Sequence, residues 1–323
     1  MQLQPTFSII TITYNAVRLV EQTLLNVLSQ SYPNIEYIVI DGGSTDGTVD
    51  IIRRYESGLA YWVSEPDKGI YDAMNKGLQK ATGDYVWFIN AGDTLCSSDT
   101  VQSVVSKLQK RKALPDIIYG ETNIVDEERR SLGLRRLRAP RKLSWKSFRM
   151  GMLVCHQSFI PKRAIAPSYD LQYRYSADFD WCIRCMKQAR SFCNTHLTLS
   201  DFLDGGTSTT QRKASLRERY AIMCKYYGTF VTVLLHGWFA IRFYTAKCLK
   251  GRCKNMIYET YMKDLLKQWG KHVVALILFL GLVMTYFSPA VFDGKVIMQG
   301  DNIKATGMGS SPDGSIRRDG TAG

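Results

Sequence analysis

Four short apolar runs, each closed by Asp, Gly, Ser or Asn, constrain this chain more than any other feature. They cover residues 7–13, 35–40, 59–63 and 85–89. Continuous β-branched and aromatic runs bounded by turn residues read as buried parallel strands. Residues 16–29, 47–55, 69–81 and 101–110 lie between or after them, with apolar positions at helical spacing. Strands alternating with short helices predict an α/β fold: a mostly parallel sheet, helices on its faces and right-handed crossovers. In such a sheet, ligands bind outside the carboxyl ends of the strands. Asp41 follows the second run and Asp93 follows the fourth, so two acids are expected in that crevice.

Further along, residues 116–119 start another strand, residues 155–160 read as a strand, and residues 177–188 read as a helix. Between them the pattern breaks. Arg129, Arg130, Arg135, Arg136, Arg138, Arg141 and Lys142 make residues 126–142 charged and irregular. A solvated hairpin or loop is one reading; a basic flap over an anionic substrate is the other.

The formal charge of +13 is concentrated near the C-terminus. Residues 212–271 hold thirteen Lys/Arg against three acids, interleaved with Tyr and Trp. Residues 273–287 carry no charge, and the uncharged run continues to residue 292. A bilayer span takes about 20 apolar residues, so this segment is expected either to span briefly or to dip into a membrane surface. Basic residues before it place the α/β domain on the cytoplasmic face of the inner (plasma) membrane. The expected organisation is a catalytic domain over 1–215, a basic-aromatic helical region over 216–292 with its membrane-associating segment at 273–292, and a loose polar tail over 293–323. Residues 1–5 are too short and too polar for a secretory signal. Eight cysteines at irregular spacing, with the lone C-x-x-C of Cys182 and Cys185 inside an expected helix, read as buried reduced thiols.

The strand ends carry the chemistry. Thr13, Tyr14 and Asn15 close the first strand. A carboxylate such as Asp41 can accept from the imide N–H of a base. Asp93, with Asn90 as a weaker oxygen donor, suits a divalent cation, Mg²⁺ or Mn²⁺, shared with a diphosphate. Asp72, Asn75 and Lys76 share one helix face, which is expected to look into the cleft beside Asp67 and Lys68. Asp46 reads as a helix cap. His156 and Gln157 are candidates for acceptor or donor contact. Gly205 and Gly206 suggest a turn or a close approach of backbone to ligand.

Several segments together resemble the family-2 glycosyltransferases of the GT-A fold. They are Phe7-Ser8-Ile9-Ile10-Thr11-Ile12-Thr13-Tyr14-Asn15, the Asp-Gly-Gly-Ser-Thr-Asp-Gly-Thr segment from Asp41 to Thr48, and Asn90-Ala91-Gly92-Asp93. The run from Glu65 to Gly77, His156-Gln157, Ser176-Ala177-Asp178 and Gly205-Gly206-Thr207-Ser208 resemble a subgroup making bacterial exopolysaccharide, colanic-acid-type and O-antigen sugars. The similarity covers residues 5 to about 215. It implies that Thr13, Asn15 and Asp41 hold the nucleotide, that Asp93 binds the metal and that Asp178 is the catalytic base. Asn90 departs from the family's usual D-x-D, which weakens the metal site, and Ala177 stands where the family's Glu precedes the base. The implied reaction is an inverting transfer from a nucleotide-sugar, expected to be UDP-linked, to a glycan or polyprenyl-diphosphate-linked acceptor at a membrane surface. A sugar-1-phosphate nucleotidyltransferase would want a glycine-rich loop after the first strand, and Thr13-Tyr14-Asn15-Ala16 has none. A membrane-bound nucleic-acid binder would leave the strand-end acids unused, so no nucleic-acid partner is expected.

Overall fold

β1 (Phe7–Thr13) lies between β2 (Ile35–Asp41) and β4 (Tyr85–Phe88), with β3 (Tyr61–Ser64) outside β2. All pairs are parallel. The computed structural model describes residues 4–205 and 212–249. Thr13 pairs with Asp41, and Asp41 with Ser64, so three polar residues end level at the carboxyl edge. The Ala91 N–H donates to the Ile12 carbonyl at 3.0 Å, which brings the residues after β4 to the same edge.

Alternation along the strands divides the core in two. Phe7, Ile9, Tyr37, Val39 and Trp87 pack with α1 (Val20–Leu28) and α4 (Thr100–Leu108), through Leu24, Val27, Val101, Val104 and Leu108. On the other face lies α3 (Ile70–Lys80), where Gly77 meets Ile10 and Ile40. A Cβ at Gly77 would come within 2.5 Å of the Ile10 Cγ2. The missing side chain is what lets this helix lie close to the strands. The expected helix over 16–29 begins later, at Val20. The Ala16 N–H is taken by the Thr48 hydroxyl at 2.9 Å and the Val17 N–H by Asp46 at 3.0 Å. Those bonds hold the chain to the start of α2 (Thr48–Arg54), where Asp46 also accepts from the Thr48 N–H.

A second, mixed sheet was not legible from periodicity. Its order is β5 (Thr94–Leu95), β9 (Phe192–Leu203), β6 (Ile117–Val125), β7 (Ser131–Leu134), with β8 (Phe159–Pro161) also on β6. β6 and β9 run parallel, joined through α5 (Ala177–Gln188), which matches the expected helix. β6 and β7 form a hairpin whose far arm holds Arg135 and its neighbours, so the basic stretch is in part a hairpin. The strand expected over 155–160 is corrected: His156–Ser158 is a 3₁₀ turn and only Phe159–Pro161 pairs with β6. The turn satisfies buried polar groups that an extended strand would leave facing the core. The Ser158 hydroxyl donates to the Glu121 carbonyl at 2.9 Å and pairs with Ser200 and Thr122.

Beyond β9 come α6 (Arg212–Tyr227) and α7 (Thr229–Leu249), separated by Gly228 at φ 83°. The chain divides into two compact units, residues 1–235 and 236–323, so α6 belongs to the first unit and the division falls beyond the expected residue 215. The fully buried Asp180 of α5 fastens α6 in place. It accepts from Arg184 at 2.6 Å, from Lys225 at 3.3 Å and from the Tyr226 hydroxyl at 2.8 Å. The Tyr227 ring stacks on Trp145. Part of the basic-aromatic region therefore serves the catalytic unit itself. Among the described residues no helix is long and apolar enough to cross a membrane. The apolar segment 273–292, the tail 293–323 and Gly206 lie outside the described residues. Cys182 and Cys185 are free, buried thiols, as expected.

Gly77→Ala should destabilise the first unit by about 1–3 kcal/mol, because overpacking against Ile10 outweighs the gain in helix propensity. A urea midpoint unchanged from wild type would show that α3 can lift off the sheet at no cost.

Candidate active site

Asp41 ends β2 fully buried, and its carboxylate builds the turn that follows. It accepts from the Gly43 N–H at 3.1 Å, the Ser44 N–H at 2.8 Å, and the hydroxyls of Ser44 and Ser64. Three of these donors converge on Oδ2 and only the Ser44 hydroxyl reaches Oδ1, so Oδ1 keeps a spare acceptor site. Asn15, at φ 45°, fixes the same turn from β1: its N–H donates to the Ser44 hydroxyl and its side-chain oxygen accepts from the Thr45 N–H. Asn tolerates the left-handed region better than most residues. Tyr14, between them, is 63% exposed, and its ring converges with Asp67 over Gly42, where a Cβ would collide with both. A groove of 620 Å³ beside the turn is lined by Ser44, Thr45, Arg53, Trp62 and Ser64, and by none of the candidate acids.

The loop before α3 is held from the helix face that sequence spacing singled out. Asp72 accepts from the Lys68 N–H at 3.0 Å, and Asp67 from the Gly69 N–H at 2.7 Å. Lys76 pairs with Glu65 at 2.8 Å. Asn75 clamps the Tyr169 backbone through two hydrogen bonds, of 3.0 and 2.6 Å. These side chains shape the cleft wall, and Lys68 and Glu65 are the exposed ones among them.

Asp93 is 5% exposed. One oxygen accepts from the Gln157 amide at 2.8 Å and the other from the Leu203 N–H at 3.1 Å. Burial raises its pKa to about 7, against the opposing pull of those two hydrogen bonds and of the Arg129 charge. Two further oxygens at this edge, Thr13 Oγ1 and Asn90 Oδ1, are buried and accept nothing. Among the described residues no cluster of three or more His, Cys, Asp or Glu gathers. Asn90 Oδ1 and the spare lone pairs of Asp93 do fit a cation of the Mg²⁺ or Mn²⁺ kind. Such an ion takes one or two carboxylates and fills its other positions with water and phosphate oxygens.

His156 and Gln157 are buried and bound to protein groups, so neither offers a ligand an open face. His156 is packed among Phe88, Tyr169 and Trp181, and its Nε2 lies 2.7 Å from the Tyr169 hydroxyl. Burial lowers its pKa to about 4, with Asp178 pulling the other way. Gln157 holds Asp93, and its carbonyl accepts from the Trp87 indole at 2.8 Å. Gly205 is exposed at φ 99°.

Asp178 begins α5 as a half-buried side chain. Its Oδ1 accepts from the Phe179 N–H at 2.9 Å and from the Tyr71 hydroxyl at 3.2 Å. Its Oδ2 accepts no hydrogen bond among the described residues. The Tyr71 ring stacks on Tyr169 at 5.6 Å, so an unbroken series of contacts runs from Asp93 through Gln157, His156, Tyr169 and Tyr71 to Asp178. Sequence reasoning missed Tyr71, which falls inside the matched run 65–77 but reads there as an ordinary helix residue. A carboxylate with one oxygen fixed and one open is placed to take a proton from a hydroxyl.

The profile of glycosyl transferase family 2 matches residues 8–166. An uncharacterised glycosyltransferase of Mycobacterium tuberculosis is 37% identical over 190 residues, covering 57% of this chain and 70% of that protein. A PGL/p-HBAD biosynthesis glycosyltransferase of Mycobacterium bovis is 29% identical over 245 residues, covering 72% and 91%. Among solved structures, S. aureus TarS 1-349 in complex with UDP has a TM-score of 0.55 at 15% identity, covering 79% of this chain and 77% of that one. Against the chain in the crystal structure of S. aureus TarS, the match covers 68% of this chain and 40% of that one. The Pyrobaculum calidifontis mannosyltransferase PcManGT, in complex with GDP-Man and Mn²⁺, has a TM-score of 0.54 at 17% identity, covering 91% and 89%.

Two buried groups make opposite pH demands. Asp93, raised from 3.8 to about 7, binds more protons folded than unfolded between those values, so it adds stability as pH falls through 7. His156, lowered from 6.5 to about 4, binds fewer, so it removes stability over the same window. Asp93→Asn should therefore lose thermal stability faster than wild type between pH 7 and pH 4.5, measured in EDTA. Parallel pH profiles would refute the buried, protonated Asp93.

The fold is of the GT-A type, and with a relative of this identity and coverage the chain belongs to glycosyltransferase family 2.

Proposed function

We propose that this glycosyltransferase transfers a sugar, with inversion, from a nucleoside-diphosphate donor to a hydroxyl of a cell-surface glycan or glycolipid. The observation that carries this reading is the state of Asp178: Oδ1 fixed by Tyr71 and the helix start, Oδ2 open. The acceptor hydroxyl gives its proton to Oδ2 while its oxygen bonds to the anomeric carbon. The bond from that carbon to the diphosphate breaks, and its electron pair leaves with the diphosphate. Attack from the face opposite the leaving group inverts the configuration. No covalent nucleophile is needed.

Asn90 and Asp93 would hold the divalent cation, and what it supplies is neutralisation of the leaving diphosphate. The Mn²⁺ in the PcManGT complex supports that assignment. The exposed Tyr14 ring beside Gly42 offers a stacking face for a nucleobase. A UDP-linked donor is favoured by the UDP complex of TarS 1-349. A cell-surface acceptor is favoured by the similarity to the PGL/p-HBAD biosynthesis glycosyltransferase. The charge of residues 212–271 and the uncharged run that follows are what an enzyme of the inner face of the plasma membrane needs to reach a polyprenyl-diphosphate-linked acceptor.

The test uses the full chain in detergent with UDP-GlcNAc and GDP-mannose, following donor cleavage with and without Mn²⁺. Asp178→Asn should lower kcat by about 10²–10⁴-fold, the usual contribution of a positioned base, and leave nucleotide binding unchanged. Full turnover in Asp178→Asn would remove Asp178 as the base, and an absence of binding to both nucleotides would overturn the transferase reading.

A further inference from the structure

Among the described residues, only Arg129 leaves both terminal guanidinium nitrogens buried without a hydrogen-bond partner. Its position is strongly determined. It sits at the tip of the β6–β7 hairpin, where the Arg129 N–H donates to the Asp126 carbonyl at 3.0 Å and the Asp126 N–H to the Arg130 carbonyl at 3.1 Å. The residues on either side face solvent and pair with each other, Arg130 with Glu128 at 2.8 Å. Arg129 alone turns inward, on a backbone at φ 65° that side-chain-bearing residues seldom adopt. Its Nε donates to Gln22 of α1 at 2.8 Å, which aims the rest of the fork.

The surroundings are negative but already committed. Asp93 and Asp201 hold the Arg129 charge against the cost of burial. Neither forms an ion pair with it. Asp93 serves Gln157 and Leu203, and Asp201 accepts from Asn123 at 2.9 Å. Three other arginines of this stretch find partners within the chain: Arg130 binds Asp126, Arg135 the Met152 carbonyl, and Arg138 Glu121. A buried guanidinium with four unmet N–H donors is costly to keep and calls for an explanation. An anion that the chain itself does not provide meets that demand. The guanidinium fork matches two phosphate oxygens, and the site adjoins the strand-end acid at which a donor diphosphate is expected.

We propose that Arg129 binds the diphosphate of the sugar-nucleotide donor, as a fixed cation beside the Asn90–Asp93 edge. This rests on the transferase reading above. It accounts for how a site with Asn in place of an acid still gathers positive charge opposite the leaving group. It also means that diphosphate binding persists in the absence of a divalent cation.

The experiment is titration calorimetry of the full chain in detergent with EDTA, using inorganic pyrophosphate, UDP and uridine. Wild type should bind pyrophosphate and UDP. Arg129→Ala should weaken both by about tenfold or more, the value of a charge-assisted contact, and leave uridine affinity within about twofold. Arg129→Lys, which keeps the charge and loses the fork, should fall between them. Arg129→Gln serves as the uncharged variant if alanine unsettles the hairpin tip, and the uridine affinity and thermal midpoint report folding. Equal pyrophosphate and UDP affinity in wild type and the uncharged variant, or binding by wild type only after Mn²⁺ is added, would overturn the role of Arg129 and leave the transferase reading standing. Failure of wild type to bind UDP, GDP or pyrophosphate with or without Mn²⁺ would overturn both.

Discussion

The aromatic joint of Phe88, His156, Tyr169 and Trp181 is what the rest of the site depends on. Tyr169 stacks on Trp181 at 4.8 Å, and His156 lies against both. These rings come from β4, from the turn before β8, from a loop and from α5, four pieces of chain that share no backbone ladder at this point. Aromatic pairs add about 0.5–1.5 kcal/mol beyond the area they bury, and the three rings other than Phe88 are also held by polar contacts. The Trp181 indole donates to the Pro167 carbonyl at 2.6 Å, and His156 pairs with the Tyr169 hydroxyl. A neutral imidazole is required in so apolar a place, and burial keeps it neutral. The joint therefore sets the separation between Asp93 on the parallel sheet and Asp178 on α5, without either acid touching the other.

The two strand-end acids have diverged in role because of what surrounds them. Asp41 has four donors and serves as the keystone of a turn. Asp93 has two donors, and burial holds its proton near neutrality against the pull of the nearby Arg129 charge. The same residue type at equivalent strand ends thus yields one structural group and one group with chemistry to spare. Environment decides this, and the environment is assembled by residues far away in sequence, Gln157 and Leu203 among them.

That distance explains which features were legible in the sequence. β1 to β4 and the helices α1 to α5 announce themselves, since each buries a local apolar pattern against the sheet. β9 does not: Thr195, whose hydroxyl donates to the Tyr119 carbonyl, and Ser200, which pairs with the Ser158 hydroxyl, are buried, so the strand lacks an apolar alternation. The positions of Asp41, Asp93 and Asp178 stood out because each acid follows an apolar run or opens a helix, while their roles depend on partners the sequence does not show. Their partners were not. Tyr71 looked like one apolar residue of a helix, and Arg129 was one arginine in a run of seven basic residues. His156 and Gln157 carried a family-like signature, yet the structure uses them as supports, a distinction that depends on burial and not on residue type.

Asp178 and Asp180 occupy the same turn of α5, one facing the cleft and the other gripping Lys225 and Tyr226 of α6. The two carboxylates are thus linked through a single helical turn. Cutting the chain before residue 225 would leave the buried Asp180 with Arg184 alone as its partner, even though every family motif remained in place.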